Sequence, residues 1–192
     1  MTKQPIRPEL SEPQICSLIF LIRDNFNRGE PTTMEGEPEI LLAMKKRGFG
    51  SGRYNGIGGK MDRSEIIEQT LVRETQEEIG VTPLSWEKVA VHDFAMDVHA
   101  AEPWHMIVHT YICRDWEGEP TETEEMAPEW FTLSKIPYDR MWDDDIFWLP
   151  VVLAGRKLLT SFSFDVEDHV VSTKMTIVSS FTDTNPDSKP PS

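Results

Sequence analysis

Gly59-Lys60-Met61-Asp62-Arg63-Ser64-Glu65-Ile66-Ile67-Glu68-Gln69-Thr70-Leu71-Val72-Arg73-Glu74-Thr75-Gln76-Glu77-Glu78-Ile79-Gly80-Val81 places its acids at spacings that a helix focuses on one point. At about 100° per residue, Glu74 and Glu78 stand one turn apart, Glu77 is three positions beyond Glu74, and the three lie in an arc of about 100°. Ile67 and Leu71 lie on the same stripe, so the stripe is expected to face the protein. Three carboxylates turned inward must be protonated, paired or bound to a cation, because an unpaired buried charge is strongly destabilising. A hard divalent metal with oxygen ligands suits them best.

Set out as spacing, the stretch is Gly59, five residues, Glu65, seven residues, Arg73-Glu74, then Glu77-Glu78 and Gly80 followed by the apolar Val81. Seven fixed positions, each at average residue usage, coincide by chance on the order of 10⁻⁸ per start point. The pattern resembles the Nudix box. One position departs: Thr75 stands where the family usually has an aliphatic residue, and its hydroxyl is expected to bond back to the helix backbone.

A chain of 192 residues can bury a sizeable core in one domain. The expected organisation is an N-terminal arm over 1–13, a domain over 14–178 and a Ser/Thr/Asp/Pro-rich tail over 179–192. The net charge of −14 argues against partners that are nucleic acid polymers or membrane surfaces, which need basic patches. A free nucleotide remains compatible, because charge is screened over about 8 Å. Cys16 and Cys113, each in an expected strand, read as buried thiols rather than a disulfide framework. With no signal layout or long apolar run, the default compartment is the cytoplasm, with nucleus and mitochondrion open.

β-branched and aliphatic runs predict strands at Ile15–Ile22 and Glu39–Met44, joined by a breaker-rich loop over 24–38. The glycine cluster from Gly48 to Gly59 lets the backbone turn tightly and approach a ligand. The acid-bearing helix is expected from Ser64, as cap, to Ile79, with Gly80 as its stop. Further strands are expected at Trp86–Met96, Met106–Arg114 and Glu129–Leu133, a second helix at Asp144–Leu158, and closing strands at Ser161–Val166 and Val170–Val178. Strands interrupted by two separate helices suggest an α/β (α+β) fold, a mixed sheet with a helix on each face. The Nudix resemblance implies the same α/β/α sandwich.

Beyond the box, Met44–Gly50, Tyr54–Lys60 and Met141–Trp148 resemble the nucleotide-sanitising branch of that family, the animal MutT homologues, and the likeness runs from about Ser17 to Val178. It implies conversion of 8-oxo-dGTP, 2-hydroxy-dATP and related damaged nucleotides to the monophosphate and pyrophosphate. It also implies metal ligation by Glu74, Glu77 and Glu78, completed by the Gly58 carbonyl and Glu125, with magnesium as cofactor and manganese as the alternative. Arg73 would orient the acids, and Lys45 and Lys60 would lie near the nucleotide. Asn55, Trp142, Asp144 and Asp145 correspond to base-reading residues, Ser17 to a neighbour on the first strand, and Phe94 and Met106 to pocket walls. A monomer is expected. Tyr54 replaces a Trp, Asp143 replaces a Pro and so adds a third acid beside the two readers, and the loops at 24–38 and 97–105 are longer.

Hydrolysis of a phosphoanhydride needs an activated water and positive charge at the phosphate oxygens. A metal held by the glutamates would serve both, with Glu78 or Glu74 taking the proton. Asp144 and Asp145 answer a different need. An ionised carboxylate only accepts hydrogen bonds, whereas a neighbouring like charge keeps one partner protonated and able to donate. Trp142 offers a stacking face, worth about 1–3 kcal/mol per base. Trp148 and Phe147 read as core residues anchoring the second helix, and His109 as a bonded core histidine. The glycine cluster lacks the Gly-Lys-Ser/Thr ending of a P-loop, and the histidines show no zinc spacing. Two other functions stay open: hydrolysis of another nucleoside diphosphate derivative, such as a dinucleoside polyphosphate, a nucleotide sugar or an O6-alkylated guanine nucleotide, and a non-catalytic nucleotide sensor, whose mark would be a broken box.

Overall fold

The computed structural model describes residues 12–24, 36–96 and 104–181. The arm up to residue 11, most of the loops at 24–38 and 97–105, and the tail from residue 182 lie outside the described residues. Among the described residues the order is β1 (Gln14–Arg23), β2 (Glu39–Lys45), β3 (Tyr54–Asn55), α1 (Ile67–Ile79), β4 (Thr82–Met96), β5 (His105–Glu117), β6 (Met126–Thr132), α2 (Asp145–Leu153), β7 (Lys157–Phe164) and β8 (Val170–Val178).

The strands form one mixed sheet in the order β3-β2-β1-β5-β4-β7-β8, with β6 also pairing β2. β1 runs parallel to β5 and β4 parallel to β7, while the other pairs are antiparallel. Two apolar clusters lie on opposite faces. One joins Leu71 and Ile79 of α1 to Ile19, Leu21 and Tyr111, and the other joins Trp148, Leu149 and Val152 of α2 to Phe20, Leu158 and Phe162. Side-chain alternation along a strand delivers one residue set to each face, which yields the expected sandwich.

One irregularity in the sheet positions the site. β1 pairs with β2 only at Ile22↔Ile40 and Arg23↔Glu39, then leaves it. The gap is filled by the glycine-rich segment, which bridges Ile19 to Ile57 and Cys16 to Lys60. The approach is close enough that a Cβ on Gly58 would sit 2.0 Å from the Ser17 carbonyl oxygen. The segment therefore reaches α1 through the sheet rather than around it.

Several boundaries differ from the sequence expectation. α1 starts at Ile67, not Ser64. Its entry is held by Gln69, whose side-chain oxygen accepts from the Ile66 backbone N–H at 2.9 Å, so Ser64 is no cap. Gly80 ends the helix in the left-handed region at φ 73°, as expected. Thr75 is fully buried and donates to the Leu71 carbonyl at 2.7 Å, so a polar residue is tolerated on the core face. α2 is nine residues long and holds Pro150. Gly155, at φ 80°, turns the chain out of it, so β7 begins at Lys157 and takes residues assigned to the helix. Its alternation of Leu158, Thr160, Phe162 and Phe164 as buried positions is a strand pattern. Phe147 is 46% exposed and is not a core anchor, whereas Trp148 is 1% exposed. His109 is half-buried, and its buried Nδ1 has no hydrogen-bond partner among the described residues, so it is not bonded there.

Candidate active site

Glu78 is the buried member of the acid ridge, its side chain 5% exposed beside the Lys45 ammonium at 3.0 Å. Its second oxygen accepts from the Gly58 backbone N–H at 3.1 Å. Burial pushes its carboxyl above the ordinary range, against the opposing pull of Lys45. Glu74 is 16% exposed and packs on Gly59, where a Cβ would lie 2.3 Å from its carboxyl carbon. The first glycine of the box is thus the space that Glu74 occupies. Glu77 departs from the expectation that all three acids face inward, for its side chain is 60% exposed.

Arg73 organises this ridge. Its Nε and Nη2 bond the two oxygens of Glu65 at 2.8 and 3.0 Å, and its Nη1 reaches Glu74 at 2.7 Å and Glu77 at 3.2 Å. Glu65 also accepts from the Thr70 hydroxyl. The Arg73 guanidinium is the largest cause holding Glu65 down to a pKa of about 2. Such a two-pronged pair fixes the guanidinium plane, and Glu65, part of the sequence pattern but given no role there, is its anchor. Across the cleft, Glu125 is bonded by Arg47 at 2.6 Å and faces Lys45 at 3.8 Å.

These residues suit a hard divalent cation by donor chemistry. Glu74, Glu77, Glu78, Glu124 and Glu125 border one cavity of about 330 Å³, offering only carboxylate oxygen. Those carboxylates outnumber the basic side chains paired with them. As placed, no three of the acids converge tightly enough to grip an ion among the described residues. Arg47, Arg73 and Lys45 hold them apart, and a bound cation would compete with those bases for the same oxygens.

The acids border a larger cleft of about 650 Å³, inside the roughly 300–1,000 Å³ typical of small-molecule sites. Ser17, Lys45, Asn55, Lys60, Phe94, Met106, Trp142, Asp144 and Asp145 all line it, as do Gly58, Glu74, Glu78 and Glu125. Arg73 does not, and Glu77 reaches only the smaller cavity. The cleft therefore joins residues from β1, β2, β3, β4, β5, α1 and α2. Also in its wall are Phe49, Trp104 and Phe164, which sequence reading passed over. Phe164 could have been found from the alternation of β7, but Trp104 and Phe49 carry no local signal.

At the apolar end, Asp144 and Asp145 are 4% and 2% exposed. Asp144 accepts from the Trp148 indole N–H at 2.8 Å, and Asp145 from the Trp142 backbone N–H at 3.0 Å. Burial raises both, Asp144 to about 6 and Asp145 well above the usual range with the charge of Asp144 adding to it. Trp148, by donating to Asp144, favours ionisation there, so the pair holds one proton better than none. One carboxyl that donates beside one that accepts can match an N–H and a carbonyl on the same edge. Asp143 is exposed and bonds the Val170 N–H at 2.8 Å. It is not a third acid of the cleft. Behind Phe94, the fully buried His92 stacks at 5.0 Å, touches the Trp148 ring at 4.4 Å and bonds Thr160 at 2.7 Å. Burial pushes its pKa down to about 3, so the wall is neutral.

The Gly59 contact makes a prediction. Gly59→Ala should displace the Glu74 carboxyl and lower kcat about tenfold, with the thermal midpoint little changed because only a side-chain end must move. Steady-state turnover with a melting curve checks both.

The NUDIX domain family matches residues 31–150. The chain is 43% identical over 136 residues to the oxidized purine nucleoside triphosphate hydrolase of Danio rerio, covering 71% of this chain and 85% of that protein. It is 41% identical over 142 residues to the protein of the same name from Mus musculus, covering 74% and 89%. The crystal structure of the MutT protein from Bacillus halodurans superposes with a TM-score of 0.68 at 21% identity, covering 84% of this chain and 97% of that one, which speaks to the fold. With the box on one helical ridge, the sandwich around it and these matches, the chain belongs to the Nudix hydrolase family.

Proposed function

We propose that the chain is a magnesium-dependent pyrophosphohydrolase of oxidised purine (deoxy)nucleoside triphosphates, releasing the monophosphate and pyrophosphate from 8-oxo-dGTP, 2-hydroxy-dATP and related species. The observation that carries this reading is the single cleft bordered at one end by Glu74, Glu78 and Glu125 and at the other by the buried Asp144–Asp145 pair. The names of the Danio rerio and Mus musculus relatives support it.

In this reading Glu74, Glu77, Glu78, Glu125 and the Gly58 carbonyl would hold the cation, which would supply positive charge and Lewis acidity to the phosphate oxygens. Lys45 and Lys60 meet the phosphates, Arg73 aims the glutamates, and Glu78 takes the proton of the attacking water. Asn55, Asp144 and Asp145 read the base edge, Trp142 stacks on it, and Ser17, Phe94 and Met106 shape the space around it. Manganese is the alternative metal. The net charge of −14 and two buried free thiols support a monomer that works on free nucleotides in the cytoplasm, nucleus or mitochondrion rather than on polymers.

The test is a substrate panel on the purified chain with magnesium. Nucleoside monophosphate, the product common to all these phosphoanhydrides, should be released from 8-oxo-dGTP with a kcat/KM well above that for dGTP, dinucleoside polyphosphates or nucleotide sugars. Equal or slower release from 8-oxo-dGTP than from those compounds overturns the reading.

A further inference from the structure

We propose that the turn joining β7 to β8 is a positioning device for the cleft's stacking indole, with Arg53, Asp168 and Asp143 holding Trp142 in the plane that the base meets. The inference rests on the reading of this cleft as a purine site and goes beyond the residues assigned to it above.

Trp142 reaches the cleft mouth just ahead of α2. Its indole edge lies on the turn between β2 and β3, where a Cβ on Gly50 would meet Cζ2 at 3.1 Å. The Arg53 guanidinium, from the same turn, lies over the indole at 4.3 Å from the ring centroid. That guanidinium is not free to wander, because its Nη2 donates to Asp168 at 2.9 Å across 115 positions of sequence. Asp168 adopts φ 64°, an uncommon conformation for a residue with a side chain. The conformation is held by Asp165, whose side chain accepts from the backbone N–H groups of Glu167 at 2.9 Å and His169 at 3.0 Å. A second tie runs from the other side. Asp143, next to Trp142, accepts from the Val170 N–H at 2.8 Å.

Two ties from chain-distant places thus converge on one indole, and none of Arg53, Asp143 and Asp168 lines the cleft. They act through Trp142 and are positioning residues. Stacking depends on a defined ring plane, and an indole fixed beforehand loses less rotational freedom when the base arrives. Asp143 therefore has a role that needs no contact with substrate: it binds the β7–β8 turn to the indole's own backbone.

The experiment measures 8-oxo-dGMP binding by calorimetry and KM and kcat for 8-oxo-dGTP in Arg53→Ala, Asp168→Gly, which removes the acceptor but keeps the turn's positive φ, their double variant and Asp143→Ala. Lys157→Ala is the control, since it breaks an ion pair with Glu87 at 2.9 Å elsewhere on β7. Each clamp variant should weaken 8-oxo-dGMP binding and raise KM about fivefold, with kcat within about twofold of the parent. The double variant should be no worse than either single one, because each breaks the same tie. Lys157→Ala should bind as the parent does. Unchanged Kd and KM in the clamp variants, whether or not the melting temperature falls, overturn the clamp and leave the purine reading standing. A parent chain that binds no 8-oxo-dGMP overturns the purine reading itself, and the clamp with it.

Discussion

Glu78→Gln should lower kcat for 8-oxo-dGTP by about 10³-fold, with a much smaller loss of nucleotide binding through the weakened cation site. General-base residues contribute about 10² to 10⁴ in rate, and Glu78 is the acid whose surroundings fit the task. It is the most buried carboxylate of the ridge, and its two oxygens are addressed by Lys45 and the Gly58 N–H. Glutamine has the same shape and keeps an oxygen for Gly58, but it cannot take a proton. The remaining partner, Lys45, can turn to Glu125, already 3.8 Å away, so the half-buried ammonium is not stranded and the fold should survive. Pyrophosphate release and calorimetric binding of a non-hydrolysable triphosphate read the two effects separately. A loss below about tenfold would move the base to Glu74, and Glu74→Gln would then show the larger fall.

Asp144→Asn should trade activity for stability, and the trade should depend on pH. Losing the ionised acceptor leaves a base N–H without a partner in a buried site, which costs about 10²-fold or more in kcat/KM for an oxidised purine. Residual hydrolysis of other diphosphates supports the base-reading role, whereas unchanged turnover of 8-oxo-dGTP removes it. The stability effect has the opposite sign. Asp144 is raised to about 6 by burial, above the ordinary unfolded value near 3.9. The folded state therefore binds the proton more tightly, and stability falls as pH rises from about 4 to about 6. Asparagine carries no such penalty and can still accept from the Trp148 N–H. The variant should be more stable than the parent by up to about 3 kcal/mol at pH 8, with the gain fading towards pH 4. Paired thermal melts across that range check it, and a pH-independent difference would contradict the buried charge.

How much could be read in advance followed from how local each signal is. The box spans 23 residues of continuous chain, and helical periodicity alone aims Glu74 and Glu78 together. Periodicity also accounts for Glu77, which sits about 100° around the helix from Glu78, at the rim of the arc and therefore in solvent. Strand alternation shows the sheet, but the end of α2 is ambiguous in the sequence because the apolar stretch from Ile146 to Ala154 resumes at Leu158 after only Gly155-Arg156-Lys157, which fits a longer helix or a helix followed by a strand. Gly155 and the alternation beyond it decided the matter only once β4 was present as a partner. Ser64 looked like a cap by residue type, yet the Ile66 N–H found Gln69 instead, since both ends of that bond lie within one turn.

By itself the amino-acid order determined the acid ridge, its stop at Gly80, the two-faced mixed sheet and the family, because each depends on dihedral preference and residue spacing within a few turns of chain. Only the tertiary structure decided which charges neutralise one another and what shapes the cleft: Lys45 on Glu78 across 33 positions, Arg47 on Glu125 across 78, Arg53 on Asp168 across 115. Such contacts form where the sheet brings distant segments together. A period of 3.6 or 2 residues states which way a side chain points, but not what it will meet there.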